Sequence, residues 1–516
     1  MLIFILYVAD GTKAKIFNDS IHGYIEMHPL CVAIIDTEQF QRLRCIKQMG
    51  GTYFVYPGAS HNRFEHSIGT SYLAGYFVES LRRKQREELN IDDKDVLCVK
   101  IAGLCHDLGH GPFSHMFDND FIPKVRPERT DWSHEVASEQ MFVHLIDSNP
   151  NVKHMFEEYG LGDRDKCFIK KLMTGETPTS EEEWKVVGRE KNKPRFLFEI
   201  VANKINGIDV DKWDYFARDC RYLGIKSSFD HMRCIPLARV IKSEDGLAEI
   251  CYRDIAAGNI YDLFHTRLSI HKKACQHKTV NAIEMMITEA LEKADKHLKI
   301  KGENGREPST ISTAIDDMVA YTKLTDHVYY QILYSTDKGL KEAKEILENI
   351  EQRKLYKFIG FTIPKDNPDK KGVPAMQKEI LEIVKENAEE LKEDDIVVQL
   401  RSFKYGGTDD KDPVGKVRFY AKDNENESFN IKKEQVSRML PVVFFEKEIR
   451  VYCKEREQQT VKKMKTAFLE WCKHRGYEVE NKLQEPRDPR TDQNPNGQVE
   501  EDDDLHDPDD PPPVDC

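Results

Sequence analysis

The sequence predicts a mainly α protein with a smaller mixed α/β carboxy-terminal lobe. Three observations carry that reading. Apolar residues recur at helical spacing through most of residues 15 to about 355. A loop-like mixture of Pro, Lys, Asp and Gly over 362–374 then interrupts the pattern. Beyond it come short β-rich runs, Ile396-Val397-Val398-Gln399-Leu400, Lys416-Val417-Arg418-Phe419-Tyr420 and Ser428-Phe429-Asn430-Ile431. The division that follows is a leader over 1–14, a helical domain over 15–360, a mixed lobe over 361–480 and an acidic, Pro-rich tail over 481–516.

Met1-Leu2-Ile3-Phe4-Ile5-Leu6-Tyr7-Val8 reads as a short strand or an incidental leader, being too short to span a bilayer and lacking a basic flank. Asp36-Thr37 caps a helix carrying Phe40, Leu43, Ile46 and Met49, which Gly50-Gly51 ends; its exposed face is expected to hold Gln41, Arg42 and Arg44. Further helices are expected over 66–89 and 92–109, after Trp132-Ser133-His134, and over 278–298, 312–334 and 337–357. The charged stretch 174–194 reads as a loop insertion, 444–473 as one long helix, and the chain beyond about 484 as disordered.

Lys and Arg number 77 against 90 Asp and Glu, a formal charge of −13, but nine acids lie in the last 17 residues and without them the balance is −4. Such a near-neutral body does not coat nucleic acid over its whole surface, although local basic pockets for phosphate remain. The 12 cysteines are scattered without a C-x-x-C, which points to reduced thiols inside a cell. No segment approaches transmembrane length, so no membrane partner is expected, and Cys516 forms no prenylation box.

The run Gly103-Leu104-Cys105-His106-Asp107-Leu108-Gly109-His110-Gly111-Pro112-Phe113-Ser114-His115 places three histidines and an aspartate at one helix end. Adjacent helical side chains diverge by about 100°, so His106 and Asp107 can still converge on one ion, with His110 a turn further on. Gly109, Gly111 and Pro112 break the helix and turn His115 back toward the same cavity. Imidazole and carboxylate donors together suit Fe, Mn or Zn. His506-Asp507 repeats the dipeptide in a tail of Asp and Pro, where no core can form around it.

Three further segments carry chemistry. Arg63 precedes His66 by one turn, pairing a bidentate phosphate clamp with a ligand. Asp211, Tyr215 and Asp219 recur every four residues with Lys212 beside them, a stripe that suits either a phosphate site or ordinary surface ion pairs. His265, Arg267, His271, Lys272, Lys273, His277 and Lys278 lie on a basic stretch open to nucleic acid, a nucleoside triphosphate or plain solvation.

His66, His106-Asp107 and Asp211 follow the H…HD…D order of HD-domain metal-dependent phosphohydrolases. Lys15-Ile16-Phe17-Asn18-Asp19-Ser20-Ile21-His22-Gly23, Phe40-Gln41-Arg42-Leu43-Arg44, 59–66, 103–115 and 206–219 extend the likeness. Over about 15–480 the chain resembles the vertebrate SAM- and HD-domain-containing deoxynucleoside triphosphate triphosphohydrolases. The resemblance implies an HD-domain helical core that cleaves dNTPs to deoxynucleoside and inorganic triphosphate. It implies that His66, His106, Asp107 and Asp211 hold a divalent metal (Fe, Mn, Zn or Mg), with a second Mg possible on the phosphates. His115 would protonate the leaving 5′ oxygen, His110 and His134 completing the acid–base network. Arg63, Lys212, Tyr215 and Arg267 would hold the triphosphate, and Gln48 and Asp219 the 3′-hydroxyl, with Met49, His271 and Cys275 lining the substrate.

The resemblance also implies activation by GTP or dGTP and a dNTP, with assembly of a homotetramer. Lys15, Asp36, Gln41, Arg44 and Arg353 would form the guanine-nucleotide site, with Ile16 and Arg42 also among the allosteric nucleotide-binding residues. Asn18, Val55, Arg233, Arg253, Asn259, His277, Lys278, Lys357 and Lys454 belong to the remaining activator positions. Antiviral restriction through lowered dNTP pools is a further implication.

Departures are Cys275 where the family has a tyrosine beside the sugar, and Ile255 where it has a lysine in the dNTP activator site. The amino-terminal SAM domain and its nuclear-targeting segment are not in this sequence, which leaves location open between nucleus and cytoplasm. Two other readings stay open: a non-catalytic regulator that binds single-stranded nucleic acid, and a phosphodiesterase or nucleotidase acting on monophosphates.

Overall fold

The computed structural model describes residues 14–190, 195–242, 246–385, 391–406 and 410–479. The expected leader up to residue 13 and the expected acidic tail, from residue 480 on, lie outside the described residues. A helical body forms around the long helix Arg63–Lys84 and the helix Asp93–Cys105, with smaller sheet-containing regions at its edge and toward the carboxy terminus.

Each of these helices starts where its sequence provides a cap. Asn62 and Glu65 form a reciprocal capping box ahead of Arg63–Lys84, as Asp92 and Asp95 do ahead of Asp93–Cys105. The two pack closely because Gly103 faces Ser71 and Ala74; a Cβ at Gly103 would sit only 3.1 Å from Ala74 Cβ and Ser71 Cα. Asp209 caps the helix Val210–Leu223, and Ser133 caps His134–Ser148. Burial of Leu73, Phe77, Ile101, Leu104 and Trp213 in the core they share stabilises the body by about 1.5–3 kcal/mol per large side chain.

Strands β1 (Lys15–Asp19) and β2 (Gly23–Met27) form an antiparallel hairpin, with Lys15 opposite Met27 and Asp19 opposite Gly23. Strands β3 (Ala238–Lys242), β4 (Ala248–Arg253), β5 (Lys357–Ile363), β6 (Ile396–Lys404), β7 (Phe419–Ala421), β8 (Asn424–Phe429), β9 (Phe445–Cys453) and β10 (Glu478–Val479) form two four-stranded sheets. One runs β10-β5-β9-β6, all antiparallel, under the helix Gln458–Arg475. The other runs β3-β4-β7-β8, its β4–β7 pairing parallel. This second sheet joins strands from both sides of residue 360, and Tyr405, Val414, Val417, Phe419 and Phe444 enter the main core.

Several local expectations are corrected. The segment 444–473 is a strand followed by a helix, because β9 is a central strand flanked by β5 and β6 and buries Ile449, Val451 and Cys453 on one face. The stretch 38–45 is a short helical turn Glu38–Gln41 that tightens over Arg42–Cys45, and Arg42 is buried, not exposed. Residues 312–334 split into Met318–Lys323 and His327–Leu333. The expected loop 174–194 contains the helix Glu181–Val186, anchored by buried Trp184.

Candidate metal centre and phosphate pocket

His66 lies in the first turn of the helix Arg63–Lys84, His106 ends the helix Asp93–Cys105, and Asp211 opens the helix Val210–Leu223. Three helix ends therefore bring together side chains that are far apart in sequence. Asp211 Oδ1 lies 3.1 Å from His66 Nε2 and 3.3 Å from His106 Nε2. Asp107 Oδ2 is 3.4 Å from His66 Nε2, and its Oδ1 is 3.5 Å from His106 Nε2. The donor atoms of His66, His106 and Asp107 all fall within 4.8 Å of one another.

The tautomers of both imidazoles follow from their other nitrogens. His66 Nδ1 lies 2.7 Å from Asp214 Oδ2, and His106 Nδ1 lies 2.9 Å from the Gly103 carbonyl. Each Nδ1–H is thereby directed to an acceptor, and each Nε2 is turned toward Asp107 and Asp211. His106 Nε2 is buried without a hydrogen bond among the described residues, as expected of an atom placed for ligation. Burial lowers the basicity of His66, but its hydrogen bonds to Asp211 and Asp214 outweigh that and raise the group to about 10. The pocket thus favours positive charge at Nε2, whether carried by a proton or by a metal ion. Two imidazoles and two carboxylates fit a divalent transition metal or Mg with open positions left over.

Arg63 closes one side. Its Nη1 donates to Asp107 Oδ2 at 2.7 Å, its Nε to Ser114 Oγ at 3.0 Å and its Nη2 to the Gln48 carbonyl at 3.2 Å. Although burial pushes Asp107 up, Arg63, His106 and His110 hold it well below the usual carboxylate range.

The loop after Asp107 carries Phe113 and Ser114 at φ of +59° and +55°, a left-handed conformation that L side chains resist. Arg42 donates to the carbonyls of Leu108, His110 and Leu324, and Asp326 accepts from the amides of Lys47 and Phe113. Gly109 lets the loop approach the helix His134–Ser148; a Cβ there would meet the Ser138 nitrogen at 2.2 Å. His110 consequently stacks on His134 at 4.1 Å, and His115 stands edge-on to both. His134 Nδ1 contacts Asp118 Oδ2 at 2.5 Å, and His115 Nδ1 lies 3.6 Å from Asp118 Oδ1. These four residues also bring donor atoms within 4.8 Å of one another. Burial and the neighbouring Arg63 keep His110 neutral, whereas at His134 the Asp118 hydrogen bond overcomes burial and raises it.

The other expected substrate residues are buried or half-buried. Gln48 Oε1 is buried without a hydrogen bond among the described residues, while the Gln48 backbone N–H donates to the His61 carbonyl and His61 Nε2 lies 2.6 Å from Asp219 Oδ1. Lys212 Nζ pairs with Asp209 Oδ2 at 2.8 Å, Arg267 donates to the Lys404 carbonyl at 2.8 Å, and the Tyr215 ring lies 6.3 Å from His66. Met49 is buried. Burial, together with Arg267 and His115, lowers His271 to about 3. Burial raises the thiol of Cys275, and Asp219 and Glu284 add to the effect.

The expected activator residues form surface groups. Lys15 lies 3.6 Å from Asp36, beside exposed Ile16, and Arg44 bonds Gln41. Arg353 donates to the Phe54 carbonyl next to Val55. Lys454 pairs with Glu289, Lys278 lies over the Phe358 ring that follows Lys357, and His277 faces Tyr56. Arg233 and Asn259 both bond Asp230, Arg253 adjoins Asp254 and exposed Ile255, and Asn18 is exposed on β1. Arg42 departs from this group in being buried, its guanidinium donating to the carbonyls of Leu108, His110 and Leu324.

Sequence reasoning did not single out His22, Asp118, Asp214, Arg218 or Asp326. The four-residue spacing of Asp214 and Arg218 was the one local signal, and it resembles any helical ion pair.

Residues 63–219 match the HD domain family. Over 476 residues the chain is 51% identical to the deoxynucleoside triphosphate triphosphohydrolase SAMHD1 of Homo sapiens, covering 90% of this chain and 74% of that protein. It is 52% identical over 466 residues to the protein of that name from Bos taurus, covering 89% and 78%. A homolog from Dictyostelium discoideum is 36% identical over 463 residues, covering 90% and 81%.

Proposed function

Because the chain belongs to the deoxynucleoside triphosphate triphosphohydrolase family of HD-domain proteins, we propose that it cleaves dNTPs between the 5′ oxygen and the α-phosphorus, releasing deoxynucleoside and inorganic triphosphate. The observation that carries this reading is the convergence of two Nδ1-anchored imidazoles with Asp107 and Asp211. His66, His106, Asp107 and Asp211 would hold the divalent ion. When bound, such an ion supplies Lewis-acid charge beside the phosphate and lowers the pKa of water.

The chain's own residues do the rest. His115 is the general acid for the leaving 5′ oxygen: it is the exposed member of its histidine cluster, with Asp118 behind it to orient the ring. His134 and neutral His110 keep that ring in place. Arg63, Lys212, Tyr215 and Arg267 supply donors for three phosphates, more positive charge than a monophosphate needs, which favours the triphosphohydrolase over a nucleotidase. Gln48 and Asp219, tied together through His61, face the sugar.

Activation by GTP or dGTP and a dNTP, homotetramer assembly, an intracellular location and antiviral restriction belong to the same proposal. The Lys15–Asp36 and Gln41–Arg44 pairs support it, since a carboxylate accepts the N–H edge of guanine and cations take phosphate. Chromatography of products from dATP with Mg²⁺ or Mn²⁺, with and without GTP, and with Asp211→Ala as control, tests the reading. Deoxyadenosine plus triphosphate from the unmutated protein alone is expected, and only with GTP. Absence of product despite bound metal would turn the assignment to a single-stranded nucleic-acid-binding regulator.

A further inference from the structure

We propose that Asp214 is a positioning residue for the metal ligand His66, and that the β1–β2 turn holds it in place through His22 and the Asp19–Arg218 pair. The inference rests on the metal-centre reading above and goes beyond it, since none of these four side chains is among the expected ligands.

The contacts form a closed set. Asp214 Oδ2 takes His66 Nδ1 at 2.7 Å and Arg218 Nε at 2.8 Å. Its Oδ1 takes His22 Nε2 at 2.7 Å and Arg218 Nη2 at 2.9 Å. Arg218 Nη1 reaches Asp19 Oδ2 at 2.9 Å, and Asp19 Oδ1 accepts the amides of Ile21 and His22, closing the turn between β1 and β2. The Asp214 and Arg218 side chains are fully buried, and that of His22 is 3% exposed.

Two buried carboxylates sharing one guanidinium would be costly as packing alone. The arrangement becomes intelligible when the charge on Asp214 has a use beyond Arg218. Asp214 fixes the proton on His66 Nδ1, raises the electron density at Nε2 and sets the ring plane against Asp107 and Asp211. His22 comes from 44 residues before His66 and 192 before Asp214, so the turn supplies a constraint that neither helix could provide locally. Gly69, three residues after His66, leaves room for it: a Cβ there would stand 1.9 Å from Asp214 Oδ1 and 2.5 Å from Arg218 Nη2.

The test is Mn²⁺ binding, followed by electron paramagnetic resonance of the free ion, on the full chain after chelator treatment. Melting temperatures of the stripped proteins run in parallel. Asp211→Ala is expected to abolish tight binding. His22→Ala is expected to weaken it about 10–100-fold, the usual effect of losing an outer support of a metal ligand. His22→Gln, whose amide can still donate to Asp214, should recover most of that loss, which a purely structural role would not predict for a metal-affinity readout. Asp214→Asn, the same size without the charge, should weaken Mn²⁺ binding as His22→Ala does. Normal Mn²⁺ affinity in His22→Ala and Asp214→Asn, with loss in Asp211→Ala, overturns the positioning role alone. Retained affinity in Asp211→Ala overturns the metal-centre reading and this inference with it.

Discussion

Arg63 and Asp107 are locked together, Nη1 to Oδ2 at 2.7 Å, with each side chain only 6% exposed. The residue that would clamp phosphate is thus also the partner that keeps a metal ligand ionised. Arg63→Ala is expected to cost about 3–5 kcal/mol of stability, because it strands a buried carboxylate. Arg63→Lys keeps the charge but not the three-way hydrogen bonding, so turnover should fall at least about tenfold with a smaller change in melting temperature. Equal melting of Arg63→Ala and the unmutated protein would refute the coupling.

His115 offers the opposite contrast, because its side chain is 60% exposed and little packing depends on it. His115→Ala should lower kcat by about 10²–10⁴-fold, the range for a lost general acid, while leaving the melting temperature nearly unchanged. A variant that turns over dNTP at the original rate would remove His115 from the mechanism.

For Arg42 the expected consequence is thermal. Arg42→Ala leaves the buried carbonyls of Leu108, His110 and Leu324 without their donor, a loss of about 3 kcal/mol or more, and loosens the loop that carries His110 and His115. Arg44→Ala, at an exposed position, should melt normally. Calorimetry without nucleotide separates the two, and an unchanged transition in Arg42→Ala would contradict its role as a loop anchor.

Glu199 gives the pH dependence. Burial raises its carboxyl from 4.5 to about 8, and the Ile250 amide is its one hydrogen-bond donor among the described contacts. A raised folded pKa favours the protonated form, so its contribution is fully present below pH 4.5 and is lost as pH climbs toward 8. Glu199→Gln, neutral throughout, should therefore gain stability over the unmutated protein between pH 5 and pH 8, by about 2–3 kcal/mol near pH 7. Denaturant midpoints that track each other across this window would show that Glu199 is not buried as a neutral acid.

What the sequence determined by itself is what short-range chemistry encodes. Capping residues Asn62, Asp92, Ser133 and Asp209 mark helix starts, and the order His66, His106, Asp107, Asp211 places one candidate ligand group at three helix ends. Tertiary structure decided the rest. Phe445–Cys453 became a strand because β5 and β6 were there to pair with it, burying Ile449, Val451 and Cys453 on one face while Glu448 and Arg450 bond each other on the opposite face. Arg42 went inside because three carbonyls from distant loops converge on its guanidinium, and Asp214 gained its meaning from His22, 192 residues away. Periodicity tells which face of an element is apolar, but a polar side chain takes its role from the partner that folding brings to it.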